Sequence, residues 1–155
     1  MKLGFTGTRE GLTDAQQAWL ETVFDSLDID VLHHGACVGA DLAAHQLAAQ
    51  HDIPIIVWPP IKTKFLAPQC LEVMAGVTIM PAAPYLMRDR AIAGACEGLV
   101  ACPKNREPTG LDVSAIGGTW YTINFATRLG KEVAICYPGG EIEKRETKIL
   151  RRPME

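Results

Sequence analysis

A chain of 155 residues with 48% hydrophobic and 21% charged residues fits one compact domain around one core. Its net charge of −3 gives no general attraction to nucleic acid or to an anionic membrane, so a polyanion would need a local basic patch. No apolar stretch is long enough to span a bilayer, and Met1-Lys2-Leu3-Gly4-Phe5 runs straight into a turn, so a cytoplasmic location without membrane partners is expected.

In chain order, short apolar runs alternate with helical patterns. Leu3 to Phe5 reads as a first strand ending in Thr6-Gly7-Thr8-Arg9-Glu10-Gly11. Thr13 is a suitable N-cap for a helix over 13–27, whose Ala15, Ala18, Trp19, Val23, Phe24 and Leu27 recur at helical spacing. Residues 29–32 form a second strand, followed by His33-His34-Gly35-Ala36-Cys37-Val38-Gly39-Ala40-Asp41 and a small-residue helix to about His51. Residues 53–58 have the β-branched, apolar composition of a parallel strand covered on both faces, and Pro59-Pro60 stops it. The pattern assigns nothing to 61–75. Residues 77–80 predict a fourth strand, 85–96 a helix carrying Arg88, Asp89 and Arg90, and 99–102 a fifth strand ending at Pro103.

A long polar loop over 103–116 then meets Ile116-Gly117-Gly118-Thr119-Trp120, where a new helix over 119–129 begins. Gly130 is a C-cap, and 132–137 is the sixth strand. From Glu141 charges dominate, so 1–140 is read as a single domain and 141–155 as a charged tail, either a frayed end or a partner-dependent strand. Strand and helix in alternation imply an α/β sandwich with a mostly parallel sheet.

The loops after the strands share one sheet edge, where open α/β sheets bind ligands. Adjacent glycines and the unpartnered amides of a helix start can hold a phosphate at Gly117-Gly118, and the Thr119 hydroxyl can donate to the same oxygen. Arg9 and Arg88 are the candidate cations, because guanidinium forks match phosphate oxygens in pairs. Asp41 would repel a phosphate, so its role is with ribose hydroxyls or a base, unless it only caps its helix. Trp120 is either core or a stacking surface for a base. His33 and His34 point to opposite faces of their strand, and Asp41 with His45 lacks a third ligand, so no metal site and no cofactor are expected. Five cysteines with no Cys-x-x-Cys pair argue against a disulfide framework and a structural zinc site.

Gly7-Thr8-Arg9, the run His34 to Asp41, Arg88-Asp89-Arg90-Ala91-Ile92, Leu99 to Pro103 and Gly117-Gly118-Thr119-Trp120 together resemble the SLOG superfamily, which includes DNA-processing protein A and the Lonely-guy phosphoribohydrolases. The resemblance implies a Rossmann-like three-layer fold, usually dimeric, with a nucleotide-derived ligand across Gly7, Thr8, Arg9, Gly35, Gly39, Asp41, Arg88, Pro103, Gly117, Gly118, Thr119 and Trp120. Lonely-guy enzymes carry a catalytic glutamate in the helix after their glycines, where this chain has Asn124. An amide neither stabilises an oxocarbenium-like centre nor serves as a base. The leading expectation is therefore a nucleotide-binding or nucleotide-sensing domain. One alternative is a nucleoside-monophosphate N-glycosidase using Asp41 or Glu97, and a second is a single-stranded DNA binder of the DNA-processing protein A type, although no basic stripe accompanies the loops. The nearly all-round apolar helix 119–129 predicts a homodimer packed through it.

Overall fold

A computed structural model of the chain describes residues 1–110 and 117–146. Seven strands, β1 (Lys2–Gly7), β2 (Val31–His34), β3 (Ile55–Val57), β4 (Val77–Ile79), β5 (Gly98–Cys102), β6 (Glu132–Cys136) and β7 (Ile142–Arg145), form one sheet in the order β4-β3-β2-β1-β5-β6-β7. The first six are parallel, and β7 runs antiparallel to β6. The helices are α1 (Asp14–Ser26), α2 (Ala40–Gln50), α3 (Tyr85–Ala95) and α4 (Gly118–Arg128), with a 3-10 turn at Pro68–Leu71. The architecture is an α/β, Rossmann-like three-layer sandwich.

Both faces of the central strands are covered, which is why β3, β5 and most of β6 are apolar. Leu3, Phe5, Leu32, Ile55 and Val57 face Leu20 and Phe24 of α1 and Ala44, Leu47 and Ala48 of α2. On the other face, Leu99, Ala101, Val133 and Ile135 meet Ile92 and Ala93 of α3 and Trp120, Ile123 and Ala126 of α4. Strand β5 shows the alternation directly, since Val100 and Cys102 belong to the first core and Leu99 and Ala101 to the second.

Helix α1 begins where its sequence dictates. The Thr13 side chain accepts from the Gln16 amide while Gln16 reaches back to the Thr13 amide, a reciprocal capping box. Gln16 is also buried, and its Nε2 donates to the carbonyls of Pro103 and Cys136, both at 2.9 Å. One side chain thereby fixes the start of α1 against the ends of β5 and β6.

Several boundaries differ from the sequence expectation. Strand β3 pairs only over Ile55–Val57, because Pro54 and Pro59 have no amide hydrogen to give to a ladder. Strand β2 ends at His34, two residues beyond the expected end. Residues 142–145, read from sequence as part of a charged tail, pair with β6 as β7, while 147–155 lie outside the described residues. Among the described residues no helix is long and apolar enough to cross a membrane.

The order places a reversal beside β1: the chain moves outward to β4, then returns through α3 to β5 on the opposite side of β1. In open α/β sheets ligands bind at such a reversal, which here falls at the carboxyl ends of β1 and β5.

Candidate functional site

The loops at this edge are tied together by hydrogen bonds. The Thr8 amide donates to the Cys102 carbonyl at 3.0 Å, the Ala40 amide to the Thr8 carbonyl at 2.9 Å, and the Thr119 hydroxyl to the Gly7 carbonyl at 3.0 Å. The ends of β1 and β5 and the starts of α2 and α4 thus meet at Gly7-Thr8. The turn before α2 depends on Gly39, which has φ of 86° and would drive any Cβ into the Arg9 carbonyl.

Gly117 precedes α4 with φ of 84°, and among the described residues no side chain caps that helix. Among the described residues the amides of Gly118, Thr119 and Trp120 have no acceptor. Ile116 and the loop residues 111–116 lie outside the described residues.

Arg88, expected from sequence to face a phosphate, is only 6% exposed. Its Nη1 donates to the Gly35 carbonyl, its Nη2 to the Cys37 Sγ at 3.2 Å, and its Nε lies 3.7 Å from Asp89 Oδ1 without a hydrogen bond. Gly35 is required here, since a Cβ would meet the guanidinium. Asp41 is 6% exposed; its Oδ2 accepts from the Cys37 amide at 3.1 Å and its Oδ1 has no partner. Burial pushes the Asp41 carboxyl up to about 6 and the Asp89 carboxyl up to about 7, while the nearby Arg88 charge pulls each back down. Burial lowers Arg88 itself, but Cys37, Asp41 and Asp89 more than offset this and hold it above its ordinary value. One guanidinium therefore stands between two carboxyls beneath the rim.

The remaining expected residues separate into two groups. Gly7, Thr8, Arg9, Gly35, Gly39, Gly117, Gly118 and Thr119 lie on the rim, with Asp89 Oδ2 close to Gly118. Pro103 is buried beside them with its carbonyl held by Gln16, and Trp120 is buried against α3 and Tyr137 with its Nε1 unpartnered. Glu97 is at the opposite end of β1, accepting from the Lys2 amide at 2.7 Å. Asn124 donates to Glu107 at 3.0 Å and accepts from Arg145 at 3.2 Å, and Arg145 also reaches Glu107 at 3.1 Å, so β7 is tied to α4 and to the loop after β5.

Two arrangements escaped the sequence reading. The first is Phe65, whose ring lies under the Arg9 guanidinium at 3.8 Å. The second is a buried group of His34, His45 and Cys70, whose ligand atoms lie within 4.8 Å of one another. The group joins His45 to His34 and Cys70 rather than to Asp41, its expected helical partner, and the proton positions suit a hydrogen bond better than a metal. The Ala36 amide donates to His34 Nδ1 at 3.0 Å, which puts the His34 proton on Nε2, facing His45 Nδ1 at 2.9 Å. Ligation through Nε2 would move that proton to Nδ1 and set it against the Ala36 amide, the reverse of the acceptor a metal-bound imidazole requires. Burial and the neighbouring His45 and Arg88 charges hold His34 down to about 3, so the pair stays neutral. His33 faces the other side of the sheet and accepts from Trp58 Nε1 at 3.0 Å. All five cysteines are free and buried.

No protein-family model matches the sequence, and no curated protein matches it. Solved structures do. DNA processing protein A from Streptococcus pneumoniae superposes over 86% of this chain and 49% of its own, with a TM-score of 0.64 at 22% identity. The same protein from Helicobacter pylori, whose structure concerns single-stranded DNA binding, superposes over 87% and 64%, with a TM-score of 0.61 at 16% identity. TM1055, a structural genomics target, superposes over 85% of this chain and 71% of its own, with a TM-score of 0.56 at 15% identity. The chain spans about half the length of the Streptococcus pneumoniae protein. At these identities the likeness establishes the Rossmann-like fold alone.

The raised carboxyls make a linkage prediction. In the unfolded chain an aspartate titrates near 3.9, so between about pH 4 and pH 7 the folded state holds more protons, and stability from Asp41 and Asp89 falls as pH rises through that window. His34 acts in the opposite direction below its unfolded value, so the informative quantity is a difference between variants. Asp89→Asn should gain on the order of 2 kcal/mol relative to the native chain between pH 5 and pH 8 in urea unfolding. Parallel stability curves for the two proteins would refute the assignment.

Proposed function

We propose that the chain is a nucleotide-binding or nucleotide-sensing domain that holds a phosphate at Gly117-Gly118-Thr119. The observation that carries this reading is the start of α4: a glycine at positive φ, amides without acceptors among the described residues, no acidic residue in the first turn, and a hydroxyl anchored to the end of β1. Arg9 is the exposed cation on the same rim. Arg88 and Asp41 act from beneath it, holding the Gly35–Cys37 loop in place rather than reaching outward. The N-glycosidase alternative draws no support from Asp41, whose carboxylate is buried, nor from Asn124, whose amide is taken by Glu107 and Arg145.

A screen of mono-, di- and cyclic nucleotides should include one that raises the melting temperature by about 5 °C or more at a hundredfold excess over its Kd. Gly118→Asp, which sets a second carboxylate beside Asp89, should abolish the shift while the protein stays folded. A complete screen without any shift would count against the reading.

A second reading, single-stranded DNA binding, is favoured by one observation: Arg9, Lys64 and Phe65 cluster at the rim, and the Helicobacter pylori neighbour is described as binding single-stranded DNA. It requires binding to an oligothymidylate at low salt that weakens steeply as salt is added. Absence of binding at 50 mM salt, measured by fluorescence anisotropy, would dispose of it.

The dimer belongs to the same proposal. Tyr121 and Phe125 of α4 stack on each other at 6.2 Å, half-buried, with Arg90 bonded to the Tyr121 hydroxyl at 2.7 Å and Leu129 exposed beyond them. We expect this face to pair with a second copy and give twice the chain mass in sedimentation at micromolar concentration. A monomeric mass that Phe125→Glu leaves unchanged would contradict it.

A further inference from the structure

Residues 61–75 have no hydrophobic period, yet part of the segment is fastened to the rim by its backbone. The Val38 amide donates to the Phe65 carbonyl and the Ala67 amide to the Ala36 carbonyl, both at 2.8 Å, with Cys37 and Leu66 paired as an antiparallel bridge. These bonds hold Phe65 against the loop that carries Gly35 and Gly39. Its half-buried ring then lies 3.8 Å from the Arg9 guanidinium carbon, with Lys64 Nζ 5.2 Å from the same ring. Among the described residues no carboxylate pairs with Arg9.

An arginine stacked on an aromatic face uses the face of its guanidinium and leaves the in-plane N–H donors at its perimeter. The ring also removes much of the rotamer freedom that a solvated arginine loses when it grips an anion. Arg88 cannot supply this service, because its nitrogens are turned to Gly35, Cys37 and Asp89.

We propose that Phe65 is a positioning residue for anion recognition: it holds Arg9 at the rim so that its N–H edge meets the phosphate of the bound nucleotide. The assignment rests on the phosphate reading above and adds to it the residue that prepares the cation. Phe65 itself does not touch the ligand. Its contribution passes wholly through Arg9.

The test is a double-mutant cycle read by calorimetric titration at low salt, with inorganic phosphate and the four ribonucleoside 5′-monophosphates as probes. Arg9→Ala should weaken the tightest of them about tenfold or more. Phe65→Leu, which keeps an apolar side chain but removes the π face, should weaken it about threefold, and Phe65→Trp should restore it. In the Arg9→Ala background Phe65→Leu should have no further effect. The Arg9 δ-methylene proton resonances, shifted upfield by the ring, should return to ordinary positions in Phe65→Leu without any ligand present.

Nucleotide binding that Phe65→Leu leaves unchanged would overturn this assignment and leave the phosphate reading intact. The same would follow if Phe65→Leu weakened binding equally with and without Arg9, since the ring would then contact the ligand directly. A native chain that binds none of the probes would overturn the phosphate reading and this assignment together.

Discussion

The rim is organised by a cation that never reaches solvent. Taking a guanidinium out of water costs several kcal/mol unless it is compensated, and Arg88 is compensated by a carbonyl and a thiol that accept from its Nη1 and Nη2 and by the charge of Asp89 3.7 Å from its Nε, which itself makes no hydrogen bond. Each partner constrains the chain that carries it. Gly35 must lack a side chain, Cys37 must turn its sulfur inward, and Asp89 must follow Arg88 on α3. The loop between β2 and α2 is therefore fixed from below, by electrostatics, before any ligand is considered. In the proposed reading the groups that meet the anion are therefore main-chain amides and the exposed Arg9.

Much of this architecture was legible in the sequence because two periods are written clearly in it. Apolar runs between proline and glycine stops marked the six parallel strands, and the 3.6-residue recurrence that includes Val23 and Phe24, or Leu47 and Ala48, marked the helices that cover them, although it passed over the buried Leu20 and included the exposed Leu27. Parallel strands joined by helices then forced the loops after them to one edge, so Gly7, Gly35, Gly39 and Gly118 could be grouped without coordinates.

What stayed hidden had no periodic signature. Residues 61–75 are placed by backbone hydrogen bonds to Ala36 and Val38, which no side-chain pattern encodes, and with them went Phe65 and Cys70. Strand β7 reads Ile-Glu-Lys-Arg, and it forms because β6 offers it an open edge and Arg145 finds Glu107 and Asn124 across α4. The burial of Arg88 was equally unreadable. A charge on a short helix looks solvated until the glycine opposite it is known to lie within reach.

Helices α2 and α4 both start behind a glycine at positive φ, both lack a side-chain cap, and both abut the end of β1, yet they are not equivalent. The first amide of α2 is taken by the Thr8 carbonyl, and Asp41 in its first turn sets a carboxyl against the positive end of its own dipole. Helix α4 has no acid in its first turn, and Thr119 directs its hydroxyl to Gly7, which anchors the turn without engaging its amides. The carboxyl beside Gly118, that of Asp89, belongs to α3, and burial raises it to about 7 against the pull of Arg88. Of two helix starts built alike, one is already compensated by the protein, while the amides of the other have no acceptor among the described residues, and that asymmetry is the reason the proposed reading puts the anion at α4.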